Sequence, residues 1–370
     1  MANDSPQSVL DFTLEELRDW LVHQGHPAFR AAQIYQWIYQ KGVSSYAEMS
    51  NLPETLRSEL ARQMPLDIRP VIARQEDPRD QTWKFLYQLP DGECVEAVLM
   101  PRYAGSVKTD PQTGAVRAGD STGIEGYTVC LSTQAGCQFA CRFCASGQLG
   151  YKRNLTAGEI IAQVMGFIRA GKPVSRVVFM GTGEPLHNLD AVRKTIAILH
   201  AQEGLNLSPR RVTVSTVGLV PEMYRIAKEG WKVKLALSLH ATSDVKRAEL
   251  MPLARAYGLD QVKDAARYYQ RCNGRRISLE YLMMQGVNDS PKDAERLAKF
   301  CDGLECHVNL IPYNAIPRGP FRPSAPERIQ EFKAHLLRHK IDVTVRYSRG
   351  RSIDAACGQL RLRHEQSRAG

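Results

Sequence analysis

The sequence predicts an α/β protein whose body is a partial, open (βα)6 barrel, preceded by an N-terminal helical region and a small β extension. Three observations carry that prediction. Apolar residues recur at helical spacing to about residue 75, alternate at strand spacing from about 80, and then fall into six strand candidates interleaved with helical stretches. Repeated βα units imply a parallel sheet with functional loops at the C-terminal strand ends; eight units close a full barrel, so six leave it open. A chain of 370 residues with 43% hydrophobic and 24% charged residues has the composition of an ordinary globular protein with room for two or three domains.

Residues 1–75 are expected to be helical. Thr13 and Glu16 have capping-box spacing ahead of Leu14, Leu17, Trp20 and Leu21, a pattern that Gly25 stops. A second helix opens at Pro27 and carries Phe29, Ile34 and Ile38 to Gly42, and a third, short and polar, follows Asn51-Leu52-Pro53. In a basic protein such helices suit contact with an RNA backbone or a packing role equally well. Residues 76–126 are expected to form the β extension. Trp83, Phe85, Tyr87 and Leu89 share one strand face, Pro90-Asp91-Gly92 turns the chain, and residues 94–100 return. On the returning strand Val95, Ala97 and Leu99 share one face and Cys94, Glu96 and Val98 the other, where alternation alone would expose Glu96. Residues 101–126, rich in Gly, Thr, Ser and Asp, read as a surface loop. The barrel is expected over 127–348, with strands at 127–131, 176–180, 211–215, 233–239, 276–282 and 307–311. Helical stretches include 156–170, which opens on a second capping box (Thr156, Glu159), and 290–300; a last helix (325–338) and strand (342–347) precede a polar C-terminal segment, 349–370.

Lys and Arg (49) exceed Asp and Glu (39), giving a net charge of +10 that favours a polyanionic partner. No apolar run approaches the length of a bilayer span, and the opening MANDSPQSVLDF lacks a basic region followed by an apolar one, so a cytoplasmic protein without membrane contact is expected. The nine cysteines stand at Cys94, Cys130, Cys137, Cys141, Cys144, Cys272, Cys301, Cys306 and Cys357. In a reducing compartment, clustered cysteines bind metal or do chemistry more often than they form disulfides.

The cluster follows the first barrel strand as Cys137-x3-Cys141-x2-Cys144. Three thiolates held that close can ligate three irons of a 4Fe-4S cubane and leave one iron open. An open iron can chelate S-adenosylmethionine (SAM) and pass an electron into its sulfonium, cleaving it to a 5′-deoxyadenosyl radical. Zinc would call for four ligands and usually paired knuckles, of which no second is present. An electron carrier would normally close its cluster with a fourth cysteine. A zinc-containing RNA-binding protein and an electron-transfer protein are therefore the competing classes.

With its C-x3-C-x2-C loop after the first strand, the sequence resembles the radical-SAM superfamily. Gly181-Thr-Gly183-Glu184-Pro185 looks like the family's glycine-rich loop that holds the methionyl amine. Ser215, Ser238-Leu239-His240 and Asn314 stand at further strand ends, where the resemblance implies contacts to the rest of SAM. Ile353-Asp-Ala-Ala-Cys357-Gly-Gln-Leu360 narrows the likeness to the RNA methyltransferases of the RlmN and Cfr group, and with Phe179-Met-Gly-Thr-Gly-Glu-Pro185 to the RlmN branch. That resemblance implies methylation of adenosine C2 in 23S rRNA and in tRNA next to the anticodon, with C8 methylation or a single RNA class as the alternatives. It further implies two SAM molecules per turnover, Cys357 as the S-methylcysteine intermediate, Cys130 as its transient disulfide partner and Glu96 as proton acceptor. A flavodoxin-like electron donor and a monomeric enzyme are expected. Cys94, Cys272, Cys301 and Cys306 match no motif and read as packing residues; His23, His26, His335 and His339 read as helical and exposed.

Overall fold

The computed structural model describes residues 7–66, 70–104, 123–316, 319–350, 353, 360 and 361, with the backbone alone of 108–109 and 116–117. Helix α1 (Leu14–His23) opens on the capping box: the Thr13 hydroxyl accepts from the Glu16 N–H and the Glu16 carboxylate from the Thr13 N–H at 2.8 Å. Helix α2 (Arg30–Tyr35) runs on as a π-helical turn through Gln40, and α3 (Glu54–Gln63) follows. Their apolar faces do not form a core of their own. Leu17, Ile34, Tyr39 and Leu60 belong to the same buried cluster as Ile160 and Val164, and Asp11 Oδ1 accepts from the Gly158 N–H at 2.6 Å.

The strands are β1 (Val71–Glu76), β2 (Trp83–Gln88), β3 (Cys94–Tyr103), β4 (Lys108–Thr109), β5 (Val116–Arg117), β6 (Ile124–Cys130), β7 (Gln134–Gly136), β8 (Tyr151–Asn154), β9 (Val174–Phe179), β10 (Val212–Thr216), β11 (Lys234–Ser238), β12 (Ile277–Met283), β13 (Cys306–Pro312) and β14 (Asp342–Val345). The intervening helices are α4 (Ala145–Gln148), α5 (Ala157–Arg169), α6 (Leu189–His200), α7 (Val220–Lys228), α8 (Asp244–Leu250), α9 (Leu259–Asn273), α10 (Pro291–Cys301) and α11 (Pro326–Arg338). Among the described residues ten strands form one sheet in the order β1-β2-β3-β6-β9-β10-β11-β12-β13-β14. The sheet is antiparallel up to β6 and parallel from there on.

Parallel strands covered on both faces are usually apolar throughout, yet these alternate. Val212, Val214, Leu235, Leu237, Leu279 and Leu310 are buried in the apolar core, while Thr213, Ser215, Ser238, Ser278, Glu280 and Asn309 share the other face. One face packs on the helices and the other lines the polar inside of an open barrel, as six βα units predict.

Several expectations need correction. Residues 71–76, placed largely in the helical region, form edge strand β1, whose mostly exposed side chains carry no core periodicity. The supposed loop at 101–126 is strand at both ends, because β3 continues to Tyr103 and pairs with β6 from Pro101↔Tyr127 to Tyr103↔Ile124. Cys272 is exposed on α9, His26 lies between helices with its Nε2 2.8 Å from Glu59, and His335 of α11 is half-buried rather than exposed. Among the described residues no helix is long and apolar enough to cross a membrane.

The extension is the first part of the main sheet, fastened to the barrel by Phe85, whose ring stacks on Phe167 of α5 at 4.5 Å, and by the Tyr87 hydroxyl, which donates to the Gln163 carbonyl at 3.0 Å. Phe85→Ala should therefore lower the unfolding free energy by about 3–5 kcal/mol in a single cooperative urea transition. A separate early transition, with the main one unmoved, would show the extension to be an appendage.

Candidate active site

β6 ends at Cys130, and the chain turns at once into the β7–β8 hairpin, whose tip holds Cys137, Cys141, Cys144 and α4. Gly136 has φ +83°, and a Cβ there would fall 1.7 Å from the Gly150 carbonyl oxygen, so the hairpin closes only on glycine. The Cys137 N–H donates to that carbonyl at 3.0 Å and the Cys144 N–H to the Cys141 carbonyl at 3.0 Å. The three cysteines face a cavity of about 270 Å³ that is also lined by Gly183, Glu184, Ser215, Ser238, His240, Tyr313 and Asn314. Apart from the cysteines, each of these residues stands at or just beyond the C-terminal end of a parallel strand.

The thiols suit a cluster better than a single ion. Burial pushes the Cys137 thiol up to about 11 and that of Cys141 well above its ordinary value, and the neighbouring Cys144 and Glu184 push both the same way. Such thiols stay protonated at neutral pH unless cations replace their protons. Arg247 of α8, fully buried, supplies an opposing charge beside Cys141 while donating to the Val217 carbonyl at 2.6 Å. Three thiolates leave a structural zinc one ligand short, whereas each can hold one iron of a cubane. The donor set fits an iron–sulfur cubane attached through Cys137, Cys141 and Cys144.

Around it, the loop after β9 is locked in place. Gly183 has φ +103° and a Cβ there would meet the Gln134 side chain at 2.6 Å. Gln134 Oε1 accepts from the Glu184 N–H at 3.0 Å, and the Glu184 carboxylate accepts from Leu186 N–H at 3.1 Å and Val217 N–H at 2.9 Å. Glu184 thus ties the β9 and β10 loops together beneath the cavity wall. Burial raises its carboxyl to about 7, against the pull of those N–H groups. Ser215 and Ser238 bring their hydroxyls within 3.4 Å of each other across β10 and β11. His240, at φ +56°, accepts the Leu282 N–H on Nδ1 at 3.1 Å, which leaves the ring proton on Nε2; burial, and then Arg247, hold its pKa near 3. Asn314 donates to the Ser348 hydroxyl, tying the loop after β13 to the chain beyond β14.

Leu239 is not brought to the cavity. Its side chain is in the apolar core, its N–H donates to the Glu280 carbonyl and its own carbonyl accepts from Arg247.

Glu96 and Cys130 stand outside the cavity lining, on one face of neighbouring strands: Val98 pairs with Cys130, and Glu96 is two residues from Val98. Glu96 is buried rather than exposed, because the sheet continues on both sides and Leu360 and Arg361 cover it. Its Oε2 lies 2.8 Å from the fully buried Lys84 Nζ, and its Oε1 accepts from the Arg361 N–H. Leu360 packs on Leu86 and Cys94 of the same face. Cys357 lies outside the described residues. Sequence reasoning missed Lys84, although the hairpin register sets it diagonal to Glu96, and it missed Gln134, Arg247 and Tyr313, which match no spacing rule.

Residues 131–301 match the family model described as the radical SAM superfamily, and residues 7–66 match that of the ribosomal RNA large subunit methyltransferase N-terminal domain. The chain is 42% identical over 363 residues to a probable dual-specificity RNA methyltransferase RlmN of Geobacillus kaustophilus, covering 97% of this chain and 93% of that protein. It is 44% identical over 368 residues to the protein of the same description from Symbiobacterium thermophilum, covering 98% and 94%. A crystal structure of a radical SAM methyltransferase from Sphaerobacter thermophilus, 42% identical, superposes with a TM-score of 0.86 over 96% of this chain and 99% of that one.

The raised Glu184 carboxyl makes stability pH-dependent. A folded-state pKa of about 7 above an ordinary 4.5 means that the folded state binds the proton more tightly. The associated stability is complete below pH 4.5 and is lost as pH rises through 7, by about 3 kcal/mol. Urea midpoints of the reduced protein between pH 4.5 and 7.5 should show this fall, and Glu184→Gln should flatten it. An unchanged slope in the variant would place the Glu184 pKa at its ordinary value.

Proposed function

Because the chain belongs to the RlmN family of radical SAM methyltransferases, we propose that it methylates C2 of adenosine in 23S rRNA and in tRNA next to the anticodon. The observation that carries this reading is the set of three thiols at the tip of the β7–β8 hairpin, facing a cavity ringed by strand ends. When bound there, the 4Fe-4S cluster and SAM supply the 5′-deoxyadenosyl radical that a carbon as electron-poor as C2 requires.

The chain's own residues do the rest. Gly183 lets the loop backbone approach the cavity without a side chain, and the Ser215 and Ser238 hydroxyls, His240 Nε2 and Asn314 offer polar groups to a SAM-sized ligand from three strands. Burial keeps His240 neutral, so it would donate to a ligand without adding positive charge to the cavity. Cys357, as a thiolate, would take the methyl of one SAM, releasing S-adenosylhomocysteine, and become S-methylcysteine; loss of a hydrogen atom from that methyl to the 5′-deoxyadenosyl radical of a second SAM would leave the methylene that bonds to the RNA carbon. Glu96 removes the ring proton. Lys84 Nζ, 2.8 Å from Oε2, holds its carboxylate in place. Cys130 attacks the Cys357 sulfur, releasing methylated RNA and leaving a disulfide that an external reductant, flavodoxin-like in its electron chemistry, reopens. The docking of Leu360 and Arg361 beside Glu96, on the strand next to Cys130, supports bringing these groups together. The enzyme acts as a monomer, and each turnover uses two SAM molecules.

Changing Cys137, Cys141 or Cys144 to Ala should remove the brown cluster and all methyl transfer while the fold persists by circular dichroism. Variants of Cys130 and Cys357 should be told apart on a denaturing gel of protein purified from cells, run with and without ribonuclease. Cys130→Ala should carry a ribonuclease-sensitive adduct, because addition proceeds and release does not; Cys357→Ala should carry neither adduct nor protein-bound methyl. Free methylated RNA from Cys130→Ala would assign release to another thiol.

A further inference from the structure

On the outer surface of the barrel, away from the three thiols, α11 places His335 and His339 one helical turn apart on the same face, with ring centroids 4.9 Å apart. Glu295 of α10 reaches across to both. Its Oε2 lies 3.1 Å from His335 Nε2 and 3.5 Å from His339 Nε2, and the three donor atoms all fall within 4.8 Å of one another. We propose that Glu295, His335 and His339 form a zinc site that clamps α10 to α11.

The geometry is that of a metal site before its ion. Zinc bonds of 2.0–2.1 Å in a tetrahedron set neighbouring donors about 3.3–3.4 Å apart, and both carboxylate-to-imidazole spacings already lie close to that value. Two imidazoles and one carboxylate are a known zinc donor set that leaves the fourth position for water. Calcium and magnesium would ask for more oxygen than one carboxylate offers. The site is open to solvent ions, since side-chain exposures are 22% for His335, 41% for Glu295 and 46% for His339. Two cations stand near it. Lys299 Nζ lies 3.6 Å from Oε1 of Glu295, the oxygen that the metal does not use. Arg338 is 3.4 Å from His335 Nδ1; it is exposed and turns away when metal on Nε2 moves the ring proton to Nδ1.

The clamp acts on the last part of the sheet. α11 runs directly into β14, and the chain beyond β14 crosses back to the extension, where Arg349 donates to the Pro101 carbonyl at 2.6 Å and the Gly350 N–H to Asp80 at 2.7 Å. Zinc would bind the folded helix pair and not the unfolded chain, so it would stabilise this strand and its crossing.

The test uses cluster-loaded protein under anaerobic conditions, titrated with zinc chloride against a chromogenic chelator, with a thermal melt and zinc X-ray absorption on the same samples. The proposal expects one zinc with nitrogen and oxygen neighbours at about 2.0 Å and a raised melting temperature. Glu295→Gln, His335→Ala and His339→Ala should each weaken binding by about tenfold or more and abolish the zinc-dependent shift. These side chains are partly exposed, so the zinc-free melts of the variants should match that of the parent. Zinc binding equal in parent and variants, or sulfur neighbours at about 2.3 Å, would overturn it.

Discussion

Three thiols crowded into one hairpin tip cannot all ionise side by side in a buried site unless positive charge is placed among them. Much of the surrounding structure serves that requirement. The hairpin closes on Gly136 so that its tip stays tight, and Arg247, buried beside Cys141, supplies an opposing charge; Glu184, whose own charge pushes the thiols up, is held by backbone N–H groups of two loops. The parallel strands deliver Gly183, Ser215, Ser238, His240 and Asn314 to the same rim because the loops of a parallel sheet emerge together at its C-terminal edge. A cavity with three soft donors at one end and neutral hydrogen-bonding groups at the other follows from that convergence.

The antiparallel extension has a second role beyond packing. By continuing the main sheet past β6, it places Glu96 on the same face as Cys130 and gives the C-terminal segment a surface to dock on. A carboxylate buried on a central strand is costly unless paired. Lys84 provides the pair from the neighbouring strand, and the Arg361 N–H binds the remaining oxygen. Charge, strand register and the returning chain therefore depend on one another, and a change in any of them is felt at the strand that leads into the cysteine hairpin.

What could be read from residues alone follows from which signals are local. Capping boxes at Thr13 and Thr156, the six barrel strands and the cysteine spacing are short-range patterns, and the structure carries all of them. Edge strand β1 escaped because exposed positions have no periodicity, and the ends of the 101–126 segment escaped because Pro101 and nearby glycines mask strand pairing. Glu96 illustrates the harder limit: alternation marks it as exposed, and only long-range cover by β6, Leu360 and Arg361 buries it. Arg247 and Gln134 act through contacts with loops distant in sequence, so no spacing rule could find them.

Nucleoside mass spectrometry reads the position of the new methyl group on the RNA. Cluster-loaded protein would be incubated anaerobically with SAM, a reducing system and protein-free 23S rRNA or tRNA lacking the modification. Complete digestion followed by chromatography against synthetic standards should yield 2-methyladenosine from both RNAs. 8-Methyladenosine, or SAM cleavage with no methylated nucleoside from either RNA, would contradict the account.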